Sequence, residues 1–203
     1  MSEPLTGKIG PQDSQDGQST TVRLDREARI LTGGKYTDAS RRGNLYIAAT
    51  TGAVTTSVAL TTTYLGLCIS NPAGSGKVLS MLGARFALSV APAAIASLHL
   101  IGGYSAAGVV THTTPLAAPS IQNCKIGASS TSVAKADAAA TIVNPYYLLP
   151  LASGFTAGAL PGGSGEWQPL DGMFTLVPGA WIAIGTLTAA VGFGGFVWEE
   201  LSE

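Results

Sequence analysis

The segment Asn71-Pro72-Ala73-Gly74-Ser75-Gly76-Lys77-Val78 is the first place where this chain could do chemistry, because a glycine-rich turn ending in lysine opens a phosphate loop. That chemistry needs glycine where Asn71 stands and a Mg²⁺-binding hydroxyl where Val78 stands, inside a βαβ unit. All three are missing, so the segment predicts a strand-to-strand turn in which Pro72 fixes φ and Gly74 and Gly76 permit the reversal. His99 lies in the apolar run Leu98-His99-Leu100 and His112 lies between threonines, with no HxH or HExxH spacing to hold a metal. Ser75 and Ser164 are flanked by glycines, yet neither completes GxSxG between a strand and a helix. Triads are defined by geometry rather than spacing, so a hydrolase with scattered residues stays as a third reading.

The carboxylates are equally sparse. Glu199 and Glu200 are adjacent and point to opposite faces of a strand. Glu166 and Asp171 could approach across a loop, as a solvated pair rather than a glycosidase dyad. No stretch has acids close enough together for Ca²⁺. Cys68, in the run Tyr64-Leu65-Gly66-Leu67-Cys68-Ile69, reads as a small buried side chain. Two cysteines make neither a zinc site nor a disulfide scaffold, and a single Cys68–Cys124 bridge stays open. The expectation is a protein that is not an enzyme, with no cofactor and no metal.

Composition says how such a chain works instead. Charged residues are 11% of the 203, against about 25% in an average soluble domain. Apolar residues stand at an ordinary 46%, so Gly, Ala, Ser, Thr and Pro fill the deficit, and these favour turns, strands and close backbone approach. A net charge of −1 gives no long-range field and argues against direct nucleic-acid binding through phosphates. A weakly charged surface is a solubility liability unless neighbours cover it. Residues 86–104 lack charge, but Pro92, His99 and Gly102-Gly103 interrupt them, so strands rather than a membrane span are expected. The polar, mixed-charge start has no apolar core of a signal peptide.

Two regions follow. Residues 1–43 form an extended polar arm, and the first 45 residues carry more than half of all charges. The arm is either a solvated tail or a segment that orders along a partner; Thr21–Ile30 fits a short strand or one helical turn. Residues 44–203 predict an all-β, jelly-roll-like sandwich. Its strands are expected at 45–49, 54–60, 64–69, 78–90, 94–104, 121–126, 141–149, 172–177, 180–187 and 193–201, with a helical turn or two allowed in Ala-rich 131–140. Val177-Pro178-Gly179-Ala180 reads as a hairpin turn. Gly43, Pro72, Gly74, Gly76, Pro178 and Gly179 are the expected backbone-defining positions. Most late aromatics should fill the core. Trp167, in the loop Gly162-Gly163-Ser164-Gly165-Glu166-Trp167, is an expected interface anchor, and Arg41, Arg42 and Trp198 are further expected contact residues.

Taken together, Tyr36-Thr37-Asp38-Ala39-Ser40-Arg41-Arg42-Gly43-Asn44-Leu45-Tyr46, Asn71 to Lys77, Pro178-Gly179 and Gly195-Phe196-Val197-Trp198-Glu199-Glu200 resemble a family of tailed-phage virion proteins, over residues 30 to 201. The resemblance implies a cement or decoration protein on the capsid surface of the virion. It also implies self-association as a trimer or dimer, docking on the major capsid protein, and no catalytic residues. The alternative is a receptor- or carbohydrate-binding module of a phage fibre or secreted protein, with Glu166-Trp167-Gln168 as its local candidate.

Overall fold

The computed structural model describes residues 6–7, 20–21, 35–56, 60–94, 96–107, 111–115, 121–129, 131–155, 167–186 and 188–203. The chain divides into two compact units, Met1–Asp38 and Ala39–Glu203. In the first, β1 (Thr6–Gly7) pairs antiparallel with β2 (Thr20–Thr21). Of the stretch expected as a strand or helical turn, residues 22–30 lie outside the described residues.

Helix α1 (Lys35–Arg42) spans the boundary. It ends where Gly43 enters the left-handed region (φ 77°), with Gly43 N–H donating to Ser40 O and Asn44 N–H to Ala39 O, both at 3.0 Å. This is the paired-bond arrangement that closes helices on glycine. The boundary therefore falls five residues before the expected change at 43/44, because buried Ala39 already packs with Leu45 and Leu82.

The second unit is an all-β sandwich of two antiparallel sheets. One sheet has the order β11 (Tyr146–Phe155), β7 (Ala96–Tyr104), β13 (Ala180–Thr186), β5 (Thr63–Ser70), β10 (Lys135–Thr141), β8 (Thr111–Pro115). The other runs β12 (Trp167–Leu176), β6 (Lys77–Leu88), β14 (Val191–Ser202), β3 (Leu45–Ala49), β9 (Gln122–Asn123), with β4 (Val54–Thr55) also paired to β14. Between them lies the main core, built from Leu67, Ile69, Leu98, Leu100, Ile182 and Ile184 of the first sheet against Tyr46, Leu79, Met81, Phe86, Phe196 and Trp198 of the second.

Strand periodicity explains most of this, and one bulge explains a change of phase. In β6 the inward residues are Leu79 and Met81, then Ala84, Phe86 and Leu88. Val197 pairs with Gly83 and Trp198 with Met81, so Leu82 is the extra residue. The bulge turns Leu82 outward, where it meets Ala39 and Leu45.

Three of the expectations that differ from the structure concern how the strands are bounded and joined. Residues 135–141 are strand, not helix; edge-to-edge pairing on both sides, with β5 and β8, outweighs alanine's helix preference. The run expected as one strand over 141–149 is two, β10 and β11, separated by 142–145. Those residues cross the outer face of the first sheet: Ile142 N–H donates to Thr62 O (2.7 Å), Trp181 Nε1–H to Val143 O (3.0 Å), and Asn144 Nδ2–H to Tyr104 O (3.0 Å). The crossing belongs to a second small core of Tyr64, Cys68, Ile101, Ala140, Ile142, Trp181 and Ala183. Finally, Val177–Ala180 is a turn, with Ala180 N–H donating to Val177 O (2.9 Å) and Gly179 at φ 95°, but it makes no hairpin. It joins β12 of one sheet to β13 of the other.

Candidate functional site

The glycine-rich segment after β5 likewise passes from one sheet to the other, with Gly74 and Gly76 at positive φ (72° and 64°) and Ser75 N–H donating to Pro72 O. Asn71 ties it to the Pro178-Gly179 turn. Its buried Nδ2 donates to Lys77 O (2.8 Å) and Leu176 O (2.9 Å), its N–H donates to Ala180 O (2.9 Å), and its carbonyl accepts from Gly179 N–H (2.8 Å). One side chain thus closes both crossovers at one end of the sandwich. The residues that imitate a phosphate loop act as a structural clasp.

The other chemical candidates disperse. Ser97 Oγ and His99 Nε2 lie 3.0 Å apart, and the imidazole meets Tyr147 edge-on at 5.3 Å. Among the described residues no carboxylate orients that ring, so the pair lacks the third member of a triad. Glu200 is buried and accepts from Ser132 Oγ and from Val133 N–H (3.0 Å), which pins the segment leading into β10. No group of three metal-ligating side chains forms among the described residues. Both cysteines are free thiols, and burial pushes each above its ordinary pKa. Glu166 and Ser164 lie outside the described residues, as does the side chain of His112. No described helix is long and apolar enough to cross a membrane.

The expected contact residues divide sharply. Trp198 is 0% exposed and stacks on Tyr46 at 6.3 Å between ring centres, so it fills the core and offers no surface for contact. Its position in β14 decides this: Trp198 pairs with inward Met81. Arg41 and Arg42 are exposed at the end of α1, where the carbonyl of Arg41 accepts from Lys125 Nζ at 3.3 Å. A cation at a helix C-terminus is a favourable placement. Trp167 is 44% exposed, and it opens the edge strand β12 rather than sitting in a loop.

Trp167 belongs to a face whose neighbours are fixed by register. One row crosses β3, β14, β6 and β12 as Ala49, Gly195, Arg85, Trp167, and the next as Ile47, Val197, Gly83, Pro169. Phe193 pairs with Ala87 on the far side of the first row. Trp167, Phe193 (42%) and Ile47 (38%) all stand in solvent. A Cβ on Gly83 would fall 2.0 Å from Cζ2, 2.1 Å from Cη2 and 2.7 Å from Cε2 of Trp167, so the indole lies over that glycine. The outer face of the first sheet is crossed by 142–145; among the described residues, the cluster packed on this one is that of Ala39, Leu45 and Leu82 with Cys124 and Val197. No spacing in the sequence marks the face, since it is assembled from four strands distant in the chain.

No family model, curated protein or solved structure matches this chain.

Proposed function

We infer that this protein is a non-enzymatic structural component of a virus particle, with the jelly-roll-like winding common among such proteins. In this reading it decorates the capsid surface, associates with copies of itself as a dimer or trimer, and docks on the major capsid lattice. The observation that carries the reading is the pairing of a charge-poor sandwich with dispersed chemical groups. A body with four cations and six carboxylates beyond residue 43 keeps few charges for solvation and suits a surface covered by neighbours. The polar arm before Ala39 contributes to docking, as segments that order along a partner do.

Deletion of residues 1–34, which leaves α1 and the buried Ala39 in place, followed by measurement of retention on purified particles, tests the arm. Loss of occupancy with a folded body is the expected result; unchanged occupancy contradicts the arm's role. A sedimentation measurement of the intact chain tests self-association, with dimer or trimer expected.

A further inference from the structure

The face around Trp167 has the chemistry of a ligand site. Within its two rows and the Phe193–Ala87 pair, Arg85 is the one ionisable residue, and it is the chain's sole arginine beyond residue 42. Arg85 is exposed and stands directly opposite Trp167. On its other side is Gly195, where an added Cβ would meet nothing closer than Ala48 O at 3.6 Å and Ala49 Cβ at 3.8 Å, so the sheet surface next to Arg85 is uncrowded there.

The indole is set as a platform. Three atoms of its six-membered ring lie within 2.0–2.7 Å of one point above Gly83, which puts one ring face toward the sheet. Trp167 nonetheless keeps 44% of its surface in solvent. A flat aromatic face accepts the C–H face of a pyranose, and a guanidinium accepts a carboxylate through two parallel hydrogen bonds. Neither row supplies Arg85 with a carboxylate, so an acid brought by a ligand can take that place.

We propose that the Trp167–Arg85 pair binds an acidic saccharide, the sugar ring stacked on Trp167 and its carboxylate on Arg85. Calorimetric titration of the full chain with oligogalacturonate and with sialyllactose tests this, with maltohexaose as the neutral probe. Saturable binding of an acidic probe is expected, with maltohexaose weaker by at least roughly tenfold. Arg85→Gln, at an exposed position, should keep the fold and weaken binding by roughly tenfold, the loss of one charge-assisted contact. Trp167→Leu should abolish binding. Tryptophan emission gives a second readout, because Trp181 and Trp198 are buried and Trp167 is the fluorophore that a ligand reaches. Absence of saturation with both acidic probes, equal binding of maltohexaose, or unchanged affinity in Arg85→Gln would overturn the assignment. Concentration-dependent shielding of Trp167 in the protein alone would overturn it too, in favour of a contact between copies.

Discussion

The indole of Trp167 occupies the space that a side chain on Gly83 would fill, one residue of an edge strand roofing a glycine of the neighbouring strand. The arrangement compensates a strand glycine, which has nothing of its own to pack, and it fixes the ring in a defined place. Gly83 has no positive φ, so alanine suits its backbone. Gly83→Ala should therefore displace the ring without straining the chain. The expected cost is about 1 kcal/mol, typical of mild overpacking, read by urea denaturation. Trp167 emission should shift to the red and become more accessible to acrylamide. Unchanged emission would mean that the ring does not rest on Gly83.

Asn71 gives a larger effect from fewer atoms. Removing its amide takes the Asn71 donor from Leu176 O and leaves Lys77 O to the longer bond from Ser75 Oγ (3.2 Å). Asn71→Ala should cost about 2–3 kcal/mol, the usual range for stranding buried polar groups. Asn71→Asp should cost more, since a carboxylate would face two carbonyl oxygens. Denaturation midpoints of the two variants check the order.

Alkaline pH should unfold this protein through two buried acids on one face. Burial raises the Cys68 thiol above its ordinary 9.0, and burial with the neighbouring Cys68 raises the Tyr64 phenol well above 10.0. Both groups hold their protons longer in the folded chain than in the unfolded one. Their contribution is fully present below about pH 9 and is lost as pH rises through the folded values. Stability should be level on this account from pH 6 to 8 and fall above pH 9, more shallowly in Cys68→Ala. In the native protein at pH 8, Cys124 should react slowly with a thiol reagent and Cys68 only after unfolding. Rapid labelling of Cys68 in the native state would contradict its burial.

The sequence by itself determined the class of fold. Alternation in β3 and β14, short apolar runs in β5 and β13, and the turn residues between them place β3, β5, β6, β7, β13 and β14 close to where they form, because these signals are local to each strand. It also marked Gly43, Gly74, Gly76 and Gly179, where a left-handed backbone asks for glycine. Tertiary structure alone decided which sheet each strand joins. The segment 71–77 reads as a strand-to-strand turn and 177–180 as a hairpin because turn chemistry is local, yet both carry the chain between sheets, held by one asparagine side chain. The Ala-rich strand at 135–141 and the crossing at 142–145 likewise depend on partners far along the chain. Trp167 and Trp198 are the sharpest case. Both are tryptophans in strands of the same sheet, and only register puts one in the core and the other, beside Arg85, in solvent.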